Sequence, residues 1–440
     1  MNKIITSAGL VVLGTASLQA AYAPELSESD ASKPWSVAAT LRGFYDDNYT
    51  TRPKLVDDGT GHAIQGARSS FGFDLSPSAN LKIAHDQTYI GLSYIYDMRY
   101  YDDRRNNSAD QSHQVDFTLN HSFTERYKLD LGDSFVIAQE PQVLDPDLVT
   151  LPLRADGNNL RNTAHGSFTA QMTEELSLVL GYSNTIYDYE MTGPSSYSAL
   201  LDRMEHLGSL NLRWQALPST VAVLGYEYGV VDHTSKDSLG PVLFVNSPAD
   251  PFYVNPNIRD ERSHYAFVGV DQFFNPQLSA SIRVGAQFTD YNNLHVGSTD
   301  TISPYVDASL TWNFAEGSAF QVGVRNQRSA TDVVGTDAAS PVLDAETTGV
   351  YGSISHHILP MLVGSLVGQF QHSDFRGGSA NGQAEDFYTL GVNFNYQFNQ
   401  YFSGDLGYNY DKLESDVGAG TLFARSYDRN RVYLGIRANY

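Results

Sequence analysis

The chain contains no cysteine among 440 residues, so disulfides, thiolate metal sites and a lipid-modified cysteine are all excluded. Methionine and tryptophan are scarce, with 6 and 3 copies. Positive charge is also in short supply: 28 Lys and Arg stand against 50 Asp and Glu, a formal charge of −22. Such a chain repels phosphate backbones, which argues against a nucleic-acid partner. Beyond the N-terminus no apolar run approaches the roughly 18 residues that a spanning helix needs.

What is abundant is tyrosine, phenylalanine and glycine, at 28, 22 and 36 copies. Aromatics mixed with small and polar residues suit strands that meet lipid on one side and water on the other. The N-terminus reads as an export signal. Lys3 precedes a mostly apolar stretch from Ile4 to Leu13, and small residues lead to Ala20. Cleavage is expected after Ala20, since cutting after Ala23 would leave Pro24 first. This places a signal peptide at 1–20, a short periplasmic segment at 21–34 and the folded body at 35–440. The interval before Trp35 leaves no space for a plug domain.

Strict alternation organises the rest. Between Leu278 and Thr289 one face carries Leu278, Ala280, Ile282, Val284, Ala286 and Phe288, and the other Ser279, Ser281, Arg283, Gly285, Gln287 and Thr289. The segments 88–99 and 388–398 divide in the same way. Tight turns recur at Thr124-Glu125-Arg126, Thr173-Glu174-Glu175, Pro218-Ser219, Asn275-Pro276, Glu316-Gly317, Leu359-Pro360 and Asn399-Gln400. At their other ends the runs meet longer polar segments, such as 140–159 and 235–261. Short turns on one rim and long loops on the other define an up-and-down antiparallel transmembrane β-barrel.

Strands are expected at 35–48, 67–84, 88–101, 112–123, 127–138, 161–172, 176–188, 203–215, 220–232, 262–274, 277–290, 301–314, 319–331, 346–358, 361–373, 385–398, 401–412 and 427–440. That is about eighteen. Sixteen is the alternative, because 361–373 alternates poorly and Pro77 interrupts 67–84. In the last run Val432, Leu434, Ile436, Ala438 and Tyr440 share a face, and the chain ends on that aromatic. Such an ending is similar to the sorting signal of outer-membrane barrels.

Three segments carry a family likeness: Arg42-Gly43-Phe44-Tyr45-Asp46-Asp47-Asn48-Tyr49, Phe71-Gly72-Phe73-Asp74-Leu75 and Tyr89-Ile90-Gly91-Leu92-Ser93-Tyr94. Through them the whole mature chain resembles outer-membrane β-barrel porins, especially the second family of putative β-barrel porins. The resemblance implies a barrel in the outer membrane with a porin-like role and no catalytic residues. Family members are associated with envelope and exopolysaccharide systems, so a structural or polymer-export barrel is the alternative to a diffusion channel.

Alternation assigns Arg42, Asp97, Arg99, Arg213, Glu227, Arg283, Asp307, Arg325 and Arg431 to the pore lining, together with Lys128, Arg437, Asp116, Asp130 and Asp405. Tyr89, Tyr187, Tyr189 and Tyr433 also point inward, where aromatics would suit a sugar polymer. A loop over 140–159 that folds inward would bring Glu140, Asp145, Asp147 and Arg154 to a constriction, stiffened by three prolines. The excess acid is expected in the loops, with Asp332, Asp337, Asp344 and Glu346 having only Arg328 nearby. Paired acids at Asp46-Asp47, Asp102-Asp103 and Asp260-Glu261 read as solvated strand ends and loops.

A metal site at His356-His357 would need further ligands from neighbouring strands, and the pair reads as solvated rim residues. His121 and Ser122 point to opposite faces and cannot act as one catalytic pair. No enzyme, cofactor or metal is expected. The expected partners are outer-membrane lipids and lipopolysaccharide, the barrel-assembly machinery and small hydrophilic solutes.

Overall fold

A computed structural model describes residues 33–57, 63–105, 107–138, 158–239, 253–294, 300–333, 342–417 and 425–440. The expected signal at 1–20 lies outside them. The strands are β1 (Trp35–Asp46), β2 (Leu55–Asp57), β3 (Ala63–Gln65), β4 (Ser70–His85), β5 (Thr88–Tyr101), β6 (Ala109–Ser122) and β7 (Tyr127–Ala138). They continue with β8 (Asn159–Gln171), β9 (Leu176–Tyr189), β10 (Arg203–Leu217), β11 (Thr220–His233), β12 (Glu261–Asn275), β13 (Leu278–Tyr291) and β14 (Asp300–Ala315). The last six are β15 (Ser318–Ser329), β16 (Asp344–Leu359), β17 (Leu362–Arg376), β18 (Ala384–Gln397), β19 (Phe402–Ser415) and β20 (Tyr427–Asn439). A short helix, α1 (Tyr197–Leu201), precedes β10.

All but β2 and β3 join one closed antiparallel sheet of 18 strands. Each pairs with its sequence neighbours, and β1 closes the ring against β20 from Ala38↔Asn439 to Asp46↔Arg431. The small β2–β3 hairpin stands apart in the loop between β1 and β4. Closure leaves no free edge, so every strand satisfies its backbone polar groups within the sheet. The alternative of sixteen strands is thereby set aside.

The two weak places in the pattern explain themselves. Pro77 sits inside β4 and pairs in register with Ala39 of β1, while pairing to β5 lapses between Leu75↔Met98 and Ser78↔Ile95. Proline costs the ladder one donor, and the strand passes through. The segment with poor alternation becomes β17, held on both sides by β16 and β18. Neighbouring strands supply what its own side-chain pattern lacks.

The tight turns gather at one rim with the start of β1 and the end of β20. The longer connections gather at the other. Burial is inverted relative to a soluble protein. Leu224, Val268, Ile302 and Leu434 are 58%, 62%, 72% and 66% exposed on the outside, while Ser263 and Gln287 are 2% and 0% exposed on the inside. Trp35, Trp214 and Trp312 all stand on the outer face near the short-turn rim, where amphipathic rings mark a membrane–water boundary.

Two inward aromatics lie flat on the wall because the strand beside them carries glycine. The Phe267 ring covers Gly225, and the Tyr433 ring covers Gly407. A Cβ at either position would collide with the ring, so the close approach requires glycine.

Candidate functional site: the lumen and its outer mouth

The inward side chains enclose a cavity of about 3160 Å³. It reaches from turn residues at the short-turn rim, including Thr124, Thr173, Pro218 and Asn275, to Asp110, Glu261 and Arg328 at the opposite end. All nine residues assigned to the pore by alternation (Arg42, Asp97, Arg99, Arg213, Glu227, Arg283, Asp307, Arg325 and Arg431) border this space. Lys128, Asp116, Asp130 and Arg437 border it too.

Alternation could not show how these charges pair. Arg42 Nε donates to Asp405 at 2.5 Å, and Arg325 Nη2 to Asp307 at 2.7 Å. Arg213 and Arg283 flank one carboxylate, Asp271, at 2.8 and 2.6 Å. Arg99 lies 3.7 Å from both Asp74 and Asp97. Asp116 instead takes its hydrogen bonds from Ser93, Gln114 and Ser134, and Asp130 takes one from Asn120. Counting round the ring, β15 with Arg325 is nine strands from β6 with Asp116, which places them on opposite walls.

Asp46 departs from the reading as a solvated strand end. It is fully buried, and Arg431 Nη2 donates to it at 2.7 Å across the β1–β20 seam. The two residues lie far apart in sequence and are brought opposite one another by closure. Asp260 is likewise engaged, accepting from the His233 backbone N–H at 2.7 Å.

The outer mouth is narrowed by loops that the sequence pattern did not reveal. Ser196 caps α1 by accepting from the Ala199 N–H at 3.1 Å. Leu200 and Leu201 pack there with Tyr187, Tyr189 and Leu239. Arg259, fully buried, donates to three carbonyls: Leu200 at 2.9 Å, Thr331 at 2.6 Å and Leu343 at 3.3 Å. One guanidinium therefore ties together the connections after β9, β11 and β15. Burial, with Arg203 close by, lowers its pKa to about 10. Asp202 accepts from the Tyr189 N–H at 2.8 Å, and burial raises its pKa to about 6.

The acids expected in the loops have more cations than expected, and Asp344 and Glu346 stand in β16 rather than in a loop. Arg425 reaches Asp332 at 2.7 Å and Glu385 at 2.6 Å. Arg376 pairs with Glu346 at 2.8 Å, and Arg328 with Asp344 at 2.6 Å. Arg425 lies on a different connection from Asp332, so proximity along the chain could not have found it. Asp337 lies outside the described residues. So do Glu140, Asp145, Asp147 and Arg154 of the expected constriction.

Of the inward tyrosines, Tyr187 is covered by the Arg203 guanidinium at 3.8 Å, Tyr189 packs against the α1 cluster, and Tyr89 lies along Gly91. Tyr433 accepts a hydrogen bond from Asn393 at 2.8 Å. His356 Nδ1 is 3.0 Å from Ser318 Oγ. His121 sits on the outer face with Nδ1 2.8 Å from Thr88 Oγ1, while Ser122 borders the lumen.

A closed barrel with an apolar exterior, tryptophans at its rim and a charged water-accessible lumen belongs to the outer membrane and has the form of a porin, a channel for small solutes. Residues 251–440 match the family model described as Putative beta-barrel porin 2. The matched stretch contains the nine C-terminal strands, β12 to β20. No curated protein matches the chain.

Among solved structures, the chain is similar to the outer membrane protein opdK from Pseudomonas aeruginosa, at 12% identity and a TM-score of 0.45, covering 92% of this chain and 99% of that one. It is also similar to a BenF-like porin from Pseudomonas fluorescens Pf-5, at 11% identity and a TM-score of 0.44, covering 93% and 99%. A third is Pseudomonas aeruginosa OccK2 (OpdF) in complex with glucuronate, at 12% identity and a TM-score of 0.42, covering 94% and 100%.

Proposed function

We propose that the barrel passes small hydrophilic solutes and ions by passive diffusion, and that the loop cap at its outer mouth sets the narrowest described passage. The carrying observation is the continuous polar cavity of about 3160 Å³, bordered by residues of both rims. Charged groups in such numbers on the inner wall require water, because their desolvation would otherwise be prohibitive. No covalent step is needed, and selectivity follows from width and from the sign of the charges met along the way.

The wall charges suit sorting by sign. Asp116 and Asp130 make one arc acidic, and the cationic pair Arg213 and Arg283 shares a single Asp271 on another. Solutes of either sign thus meet a complementary surface, with the acidic loops adding a negative outer field that acts within about a Debye length, roughly 10 Å at 0.1 M salt. In this reading a signal at 1–20 directs export, and the assembly machinery reads β20 with its terminal Tyr440. Lipopolysaccharide and phospholipid then surround the apolar band.

Liposome swelling with uncharged sugars of increasing size tests the proposal. Vesicles holding the refolded full chain should swell in the smallest sugars and progressively more slowly in larger ones. Swelling no faster than protein-free vesicles in every sugar, from correctly folded barrel, would overturn it.

A further inference from the structure

Three histidines on the lipid-facing side repeat one geometry. Tyr94 Oη is 2.9 Å from His113 Nδ1, Tyr182 Oη is 2.7 Å from His206 Nδ1, and Tyr226 Oη is 2.7 Å from His264 Nδ1. In every case the tyrosine and histidine lie on adjacent strands, β5 and β6, β9 and β10, or β11 and β12. The histidine stands two positions closer to the outer rim than the residue paired with the tyrosine, as Tyr226↔Ala266 shows for His264. Strand parity fixes the face. His206 alternates with Leu210, Leu212 and Trp214, and His264 with Val268 and Val270, all exposed outward. Tyr96 and Tyr228 lie tilted against the His113 and His264 rings, with centroids 5.0 and 4.9 Å apart.

The histidines also share a level. His113, His206 and His264 lie nine, eleven and eleven residues from the short-turn ends of their strands, counted from Ser122, Leu217 and Asn275. A tilted strand climbs about 2.5 Å per residue, which puts the three rings about 23–28 Å above the short-turn ends of their strands. The apolar band of such barrels is about 25 Å tall. The rings therefore stand where outer-leaflet hydrocarbon gives way to headgroups.

The hydrogen bonds engage Nδ1 of each ring and leave Nε2 as the nitrogen that can face outward. Where the phenol hydroxyl donates, Nδ1 offers its lone pair and the ring proton resides on Nε2. At His206 a second donor, Asn184 Nδ2, also meets Nδ1, at 3.2 Å. That amide nitrogen donates as well to the Glu205 carbonyl, at 3.0 Å. With two donors converging on it, Nδ1 must accept. Each Nε2–H is then left to donate to an anionic oxygen at headgroup level. Beside His264, Arg262 lies two residues further out on the same strand face.

We infer that His113, His206 and His264, oriented by Tyr94, Tyr182 and Tyr226, form a belt that binds the phosphate groups of the outer-leaflet saccharolipid surrounding the barrel. The inference deepens the expectation of lipopolysaccharide as a partner and is independent of whether the lumen conducts. Native mass spectrometry of the full chain, refolded in neutral detergent, reads it directly. The probes are diphosphorylated lipid A, the same lipid dephosphorylated, and inorganic phosphate.

The wild type should retain the diphosphorylated lipid at least about tenfold more than the dephosphorylated one, a difference of about 1.4 kcal/mol, and inorganic phosphate should not compete at equal concentration. The triple variant H113F/H206F/H264F should lose that preference, and Y94F/Y182F/Y226F should weaken it while keeping the rings. H121F, which alters an outward histidine near the opposite rim, should leave it intact. Should the histidine variant fail to fold, the tyrosine variant decides alone. An undiminished preference in either folded triple variant, or efficient competition by inorganic phosphate, would overturn the inference.

Discussion

Arg259 Nη2 donates to the carbonyl of Thr331 at 2.6 Å, across 72 residues of chain. The bond joins the connection after β11 to that after β15, and the same guanidinium also holds Leu200 and Leu343. Described parts of three outer connections are thus tied to one another at the mouth.

Replacing Arg259 with alanine removes the donors of three carbonyls at once. Each buried acceptor left unpaired costs about 1–3 kcal/mol, enough to release the cap while the strands remain paired. The R259A barrel should therefore retain its folded, heat-modifiable mobility, expose the 197–201 region to protease and show larger, noisier single-channel currents. Currents and cleavage identical to the wild type would remove the cap from the account.

The cap should also respond to pH through Asp202. Burial raises its folded pKa from an ordinary 3.8 to about 6. A raised carboxyl pKa means that the folded cap binds the proton more tightly than the open one. The contribution is complete below about pH 4 and is lost as pH rises through about 6. Hydrogen exchange at Ala199 to Leu201 should be slower at pH 4.5 than at pH 7, after correction for intrinsic rates, and D202N should flatten that difference. A difference that persists in D202N would assign it to another group.

The sharing of Asp271 by two arginines predicts a selectivity change. D271N leaves Arg213 and Arg283 without their common counter-ion at the lumen wall. Reversal potential under a salt gradient should shift toward anions, and more so at low ionic strength, where screening is weaker. An unchanged reversal potential would mean that the conducted path avoids this wall.

Assembly should depend on the face of the final strand. Tyr440 is exposed on the lipid side beside Trp35, with ring centroids 5.8 Å apart, and the Lys33 ammonium lies 4.0 Å from its ring. Y440D should reduce the folded fraction several-fold more than N439D, since Asn439 lies on the opposite face. Equal yields would show that the machinery does not read this residue.

Much of the barrel was legible because a strand buried on neither side by protein keeps a strict two-residue period. β13 and β20 show it without interruption, and the tight turns mark the spacing between strands. β4 and β17 were harder, since Pro77 and a weak side-chain pattern obscure backbone pairing that neighbouring strands enforce. The lumen candidates followed from parity alone, but their pairing did not. Arg42 with Asp405 and Arg431 with Asp46 meet only when the sheet closes. The cap was not legible at all. Arg259 looks like any loop arginine until three distant carbonyls converge on it, and α1 is too short to leave a helical period.

The most direct test is planar-bilayer recording of the full refolded chain under ion substitution. An open lumen predicts discrete, stepwise insertions with a reproducible ohmic conductance that scales with bulk salt, and a larger unit step in R259A. Correctly folded barrel that inserts but carries no current in either form would contradict a diffusion channel and leave a closed, structural barrel in its place.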